Sequence, residues 1–205
     1  MIRIHNFARG ARGLRVMWQC EEMGLAYEVA TVSFPPSQAY RTLNPLGTVP
    51  FLEDEGGVAM NESVAMMLYL ANRYGPTPLL PTGDPEALAR VLQMTVLSEA
   101  TFGAGMNSLM AAHFGAPDGE KRNWSVRAQE DRSEQALRFV ADALGDRPFL
   151  AGATFSLADI AISTAFGIWR GALGKTLPDS LAAYQERVAA RPAYQRARER
   201  VGRSG

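Results

Sequence analysis

The chain has 205 residues, 47% hydrophobic, 20% charged and 9% aromatic, an ordinary globular composition that excludes disorder as its main state. Its 21 basic and 21 acidic side chains cancel, so no global field draws it to nucleic acid or an anionic membrane, and neither is expected as a partner. A single cysteine, Cys20, excludes an internal disulfide and a cysteine-rich metal site; no metal is expected, and a reducing, cytoplasmic compartment is.

The opening segment MIRIHNFARGARGLR lacks the apolar stretch of a secretory signal. Nor does any run approach the roughly 18 apolar residues that a membrane span needs. Ile2 to Asn6 alternates apolar and polar residues as a half-buried strand does. Leu14, Met17, Trp18 and Glu21 to Met23 then follow at helical spacing, and Tyr27 to Ser33 carries Val29, Thr31 and Val32, which suit a pleated surface. Strand, helix, strand in this order predicts a right-handed crossover into a parallel pair.

After a short helix, Pro50 to Glu53 and Gly57 to Met60 flank Asp54-Glu55-Gly56-Gly57, whose glycines permit the positive φ of a tight hairpin. From Ser63 the apolar residues Val64, Met67, Leu68 and Ala71 recur at helical spacing, and Gly75 is expected to end that helix. Residues 75–85 hold four prolines in eleven positions and read as a linker. Helical periodicity then fills 86–113, 124–144, 157–170, 179–190 and 193–201. The expected organisation is an α/β domain over 1–76, a Pro-rich linker over 77–85 and an all-helical bundle over 86–205.

Two short motifs carry chemistry. In Asn44-Pro-Leu-Gly-Thr-Val-Pro50, a plain turn before a strand explains the sequence; a cis Val49–Pro50 bond would instead leave the N–H and C=O of Val49 to pair with an extended peptide. In Asn61-Glu62-Ser63, Ser63 suits an ordinary helix cap, or it offers its N–H and hydroxyl to a carboxylate while Glu62 meets an ammonium. Together they describe a pocket for a free amino-acid terminus.

Taken in order, these residues resemble the cytosolic glutathione S-transferase family over nearly the whole chain. Arg15 to Glu28 resembles that family's first helix and second strand, Asn44 to Pro50 its NPxGxVP segment, and Glu62-Ser63 its glutamate-serine pair. Phe155 to Ile160 resembles its capping box and hydrophobic staple, and Arg191-Pro-Ala-Tyr194 its closing helix. The resemblance implies a thioredoxin-like N-terminal domain with a mixed four-stranded sheet and an all-helical C-terminal domain. It implies glutathione as co-substrate, with Val49 and Pro50 holding the cysteinyl part and Glu62 and Ser63 the γ-glutamyl end. Gln38 or Arg41 would meet the glycine carboxylate. It further implies a homodimer, and Phe102, Met106 and Trp169 as contacts for an apolar electrophile.

The catalytic position departs from the pattern. Where family members place a Tyr, Ser or Cys, this loop reads Phe7-Ala-Arg-Gly-Ala-Arg-Gly-Leu14, with neither hydroxyl nor thiol. Gly10 and Ala11 fall near the serine position and Arg12 near the cysteine position. One reading gives Arg12 and the amides of Gly10 to Gly13 the task of lowering a thiol pKa of about 8.5. The other makes Arg12 a solvated loop residue and the chemistry lost or moved. His5, near the tyrosine position, reads as a packed or hydrogen-bonded strand residue, and Cys20 as a small buried hydrophobe.

Ser156 with Asp159 reads as a capping box and Phe155 with Ile160 as a staple. The activity implied is conjugation of the glutathione thiolate to an apolar electrophile. The alternatives are a binding or interaction protein of the same fold, and a glutathione-dependent isomerase, dehalogenase or peroxidase.

Overall fold

The computed structural model describes residues 1–8 and 12–202. Met1–Thr77 together with the segment from Ala189 forms one compact unit, and Pro78–Val188 a second. In the first unit, β1 (Ile2–Phe7), α1 (Gly13–Met23) and β2 (Tyr27–Val32) form the expected crossover, with β1 and β2 parallel from Ile2↔Tyr27 to Phe7↔Val32. α2 (Gln38–Leu43) precedes an antiparallel hairpin of β3 (Phe51–Asp54) and β4 (Val58–Met60), and α3 (Ser63–Arg73) follows. Strand order is β2-β1-β3-β4, a mixed thioredoxin-like sheet. The hairpin turns where Gly56 and Gly57 take φ of 77° and 78°, a conformation that glycine adopts without steric cost.

Side-chain alternation along β1 divides the core into two layers. Ile4 is fully buried, and α1 packs against both β1 and α3. His5 points to the opposite face, where its ring lies 5.8 Å from Tyr40 and 5.7 Å from Phe51. There Nε2 of His5 is 2.6 Å from Glu53 Oε2, so this histidine is engaged within the sheet. Cys20 is fully buried, and burial, with the nearby charges of Glu21 and Asp54, pushes its thiol up to about 12.

α3 ends at Tyr74 rather than at a left-handed glycine. Gly75 has a different reason to be glycine: a Cβ there would stand 2.5 Å from the Ala71 carbonyl oxygen.

The second unit consists of α4 (Pro85–Ala100), α5 (Phe102–Gly115), α6 (Trp124–Leu144), α7 (Leu157–Gly171) and α8 (Asp179–Ala189). The single helix expected over 86–113 is broken at Thr101 (φ −113°, ψ −62°). Apolar periodicity runs on through the break and cannot reveal it. Just after the break the backbone runs close to its neighbours: a Cβ on Gly103 would stand 2.8 Å from Ser98 O, and one on Gly105 2.1 Å from Ser133 Oγ. α7 is buried along nearly its whole length and packs on α4.

The last helix, α9 (Pro192–Gly202), packs on α1 and falls within the first unit. Tyr194 meets Trp18 edge-on at 4.7 Å. Arg191 binds Glu22 through two nitrogens at 2.6 and 2.7 Å, Arg196 lies 2.7 Å and Arg200 3.2 Å from Glu21, and the Arg200 guanidinium sits 4.5 Å from the Tyr27 ring centre.

Candidate functional site

The candidate site is assembled from the starts of three elements of the first unit. At the start of α1, Arg12 occupies the N-cap position in helical conformation and is half-buried. Gly10 and Ala11 lie outside the described residues. Gly13 follows because the helix begins against β1: a Cβ there would come 2.4 Å from Asn6 Oδ1. Asn6 is itself buried, and among the described residues its Oδ1 has no hydrogen-bond partner.

The second piece is the segment before β3. The Val49–Pro50 bond is cis, and Val49 packs beside Phe7 against the Val32, Tyr40 and Phe51 cluster. Among the described residues, neither the N–H nor the C=O of Val49 has a hydrogen-bond partner. The peptide just before it is pinned, because the Thr48 carbonyl accepts the Tyr40 hydroxyl at 2.6 Å and Asn44 Nδ2 at 2.9 Å. Burial raises the Tyr40 hydroxyl above its ordinary pKa, against the hydrogen bond with Asn44.

The third piece is the start of α3. Glu62 takes φ 69° and ψ 100°, the one non-glycine residue at positive φ among the described residues. Ser63 is the first helical residue rather than the cap and is buried, and there is no side-chain cap bond, so of its two readings the ordinary cap does not hold. The helix start is pinned from outside, as Ser63 Oγ accepts Nη1 of the fully buried Arg15 at 3.3 Å. That bond brings the first turns of α1 and α3 together. The first amides of α3 remain an anion-binding arrangement.

Of the two residues expected near a glycine carboxylate, Gln38 opens α2 and is exposed. The Arg41 guanidinium lies over the same Pro-containing segment, with Nη1 2.5 Å from where a Gly47 Cβ would stand, and Gly47 has φ +62°.

The apolar residues implied for a second substrate do not form a surface. Phe102, Met106 and Trp169 are 1%, 1% and 2% exposed. Phe102 packs 5.9 Å from Phe166 and 5.4 Å from Trp169, while Trp169 donates its indole N–H to Thr176 O at 2.9 Å. That expectation is corrected: area already buried by neighbouring rings is not available to a ligand, and these residues are the core of the helical unit.

Sequence reasoning missed Arg15, Asn44 and Asn61 as parts of the site. Both asparagines open the very motifs that were singled out, and a polar residue at the head of a buried motif was the signal present. Among the described residues no group of three His, Cys, Asp or Glu is placed to hold a metal, and no helix is long and apolar enough to cross a membrane.

Two family models match the chain: the glutathione S-transferase N-terminal domain over residues 12–73 and the C-terminal domain over 124–200. The chain is 33% identical to bovine glutathione S-transferase theta-1 over 68% of its own length and 61% of that protein. It spans 55% and 58% of the length of curated relatives from Dictyostelium discoideum and Arabidopsis thaliana. Among solved structures, the theta class enzyme from Xanthomonas axonopodis pv. citri, with glutathione bound, is 29% identical at a TM-score of 0.79, covering 96% of each chain. The glutathione transferase from Methylococcus capsulatus is 25% identical at 0.85, covering 98% of this chain and 99% of that one.

Proposed function

The chain belongs to the glutathione S-transferase family, and from that premise we propose that it binds glutathione in its sheet-bearing unit and joins the sulfur to an electrophilic, mostly apolar small molecule. Glu62 carries the reading. Its backbone conformation costs roughly 1–3 kcal/mol, strain that persists where the surrounding structure enforces it for function. It also turns the chain so that the first amides of α3 and a carboxylate stand side by side, suited to the carboxylate and ammonium of a γ-glutamyl group. The glutathione held by the Xanthomonas relative supports the same ligand.

The remaining roles follow from the chain's own groups. Val49 offers an unused N–H and C=O to the cysteinyl residue as a short added strand. We assign the glycine carboxylate to Arg41 rather than Gln38, because the Arg41 guanidinium lies against the Gly47 end of the same segment. Arg12, with Gly10 and Ala11 before it, stabilises the thiolate by charge and by the start of α1. The thiol proton leaves to solvent, the sulfur lone pair forms the new C–S bond, and the leaving group departs with its bonding electrons. We extend the proposal to a homodimer working in the cytosol, the state implied by the family likeness; sedimentation equilibrium checks the dimer.

The test is an ultraviolet titration of glutathione bound to the protein, for wild type and Arg12→Ala. A bound thiol pKa well below the free value of about 8.5, rising in the variant, is the expected result. Ser63→Ala and Glu62→Gln are expected to raise the glutathione KM about tenfold or more with a smaller change in kcat; unchanged values refute the γ-glutamyl site. One observation favours a second reading, a binding protein without chemistry: residues 5–14 contain no Tyr, Ser or Cys. An unshifted thiol pKa in bound glutathione, with no conjugate, halide or oxidised glutathione formed from a panel of electrophiles and peroxides, selects it.

A further inference from the structure

The two segments assigned to glutathione lie in different loops, yet a pair of side-chain amides, one buried and one half-buried, joins them. Asn44 is fully buried. Its Nδ2 donates to the Thr48 carbonyl at 2.9 Å and to Asn61 Oδ1 at 3.0 Å, and its own Oδ1 accepts Asn61 Nδ2 at 3.1 Å. Thr48 Oγ1 also reaches Asn61 Oδ1 at 3.4 Å, and the Tyr40 hydroxyl supplies a second donor to the Thr48 carbonyl at 2.6 Å.

Position along the chain gives this network its meaning. Thr48 immediately precedes Val49, and Asn61 immediately precedes Glu62. The Thr48 carbonyl has two donors, so the peptide that leads into Val49 has a fixed tilt. The amide pair is reciprocal, each partner giving an N–H and taking one, so a turn of either side chain breaks both bonds. A bridge of this kind holds two backbones at one spacing and one mutual angle.

We propose that Asn44 and Asn61 are positioning residues that set the separation of the Val49 and Glu62–Ser63 segments, so that one tripeptide engages both at once. The inference rests on the glutathione reading above. A ligand that spans two subsites gains from its second contact only when the spacing matches its own length, and a spacing fixed beforehand removes the cost of ordering the loops on binding. The amide pair therefore acts on the advantage of a ligand that meets both segments over one that meets a single segment. It does not act on the affinity at either segment alone.

Titrating glutathione, γ-glutamylcysteine and cysteinylglycine into the full chain separates these quantities. Asn61→Asp keeps an acceptor for Asn44 but has no hydrogen to return to it; Asn44→Ala removes the bridge and one donor to Thr48. In both variants the glutathione Kd is expected to rise about tenfold, the loss of one or two buried hydrogen bonds' worth of ordering. γ-Glutamylcysteine carries both the γ-glutamyl and the cysteinyl group, so its Kd is expected to rise with that of glutathione, whereas cysteinylglycine meets only the Val49 segment and its Kd is expected to stay within about twofold of wild type.

An equal loss for cysteinylglycine and for glutathione overturns the positioning role and leaves a merely structural one, as does a γ-glutamylcysteine Kd that stays at the wild-type value while that of glutathione rises. So does an unchanged glutathione Kd in both variants. A wild-type protein that binds none of the three overturns the glutathione reading, and the inference with it. If Asn44→Ala fails to fold, as judged by circular dichroism, the half-buried Asn61→Asp carries the test.

Discussion

Asp159, in the helical unit, receives the N–H of Leu150 at 2.9 Å, the N–H and hydroxyl of Ser156 at 2.8 and 2.9 Å, and the hydroxyl of Tyr184 at 2.6 Å. Glu62, in the sheet-bearing unit, sits at φ 69° without a cap bond, one residue after the half-buried member of the amide pair and twelve after a cis proline. The helical unit directs this buried carboxylate entirely inward, to its own loop, cap and neighbouring helix. The sheet-bearing unit brings the starts of helices and strands together and leaves backbone donors and acceptors there unused. The comparison teaches where stability and recognition have been separated in this chain: the first can be damaged without touching a ligand, and the second holds conformations that stability alone would not keep.

The sharpest way to break that comparison is Asp159→Ala. It leaves two hydroxyls and two amides buried without their acceptor, and about 3–5 kcal/mol of stability is expected to go, read as collapse of the thermal transition. Glutathione binding to the fraction that remains folded should be unaltered. Next in size is Gly13→Ala, whose Cβ would come 2.4 Å from Asn6 Oδ1 and 3.2 Å from Asn6 Cβ. Overpacking of this kind costs roughly 1–3 kcal/mol, measurable as a lowered denaturant midpoint.

Glycine changes elsewhere have the opposite sign. Glu62→Gly relieves the left-handed strain and is expected to raise stability by about 0.5–1 kcal/mol while glutathione binding is lost. Gly167→Ala, on an exposed position of α7 with nothing within 4 Å of its Cβ, is expected to stabilise by about 0.5–1 kcal/mol with binding unchanged. Differential scanning calorimetry beside a glutathione titration reads both. A Glu62→Gly protein that still binds normally would remove the functional reason for the strain.

The smallest effect concerns pH. Burial raises the Asp54 carboxyl, but the Tyr74 hydroxyl, the Glu55 amide and the Tyr69 hydroxyl outweigh it and hold the group below its ordinary value. Glu21 is held low in the same sense: burial raises it, and the hydrogen bonds from Arg196 and Tyr27, with the charge of Arg200, more than compensate. What these two groups contribute is complete above the usual carboxyl range of about 4 and fades as pH falls through their lowered values. For Asp159 burial prevails over its donors and raises the carboxyl, so its contribution is complete below the unfolded value and fades as pH rises through the raised one. Hydrogen exchange measured from about pH 6 down to about pH 3, corrected for intrinsic rates, should therefore lose protection in the sheet-bearing unit first. Earlier loss in α7 would contradict the assignment.

Much of this was legible in the sequence, for reasons that particular residues make plain. The alternation of Ile2 to Asn6, the glycines at 56 and 57 and the apolar spacing after Ser63 are local signals, and each produced the element expected of it. Ser156 with Asp159 was legible too, since a cap and its reciprocal carboxylate lie three residues apart. Thr101 was not legible, because a one-residue break leaves the apolar period intact. Nor was the burial of Phe102 and Trp169, whose exposure depends on which ring another helix supplies. The site divides in the same way: Val49, Glu62 and Ser63 announced themselves by motif, whereas Arg15 and the partnership of Asn44 with Asn61 join positions far apart in the chain.

The return of α9 to α1 has a consequence for the order in which this molecule is made. Topologically the whole helical unit is an insertion within the sheet-bearing one, so a ribosome emits the sheet and its three helices long before the last piece of their shell. Until residues 191–200 emerge, Trp18, Glu21 and Glu22 lack the tyrosine and arginines that cover them. A nascent chain stalled after residue 188, or a protein shortened there, is therefore deprived at the end of the molecule where it was begun, and would need a chaperone's cover for the surface of α1. Any alteration that displaces residues 191–200 is therefore felt first at α1, near the start of the sheet-bearing unit.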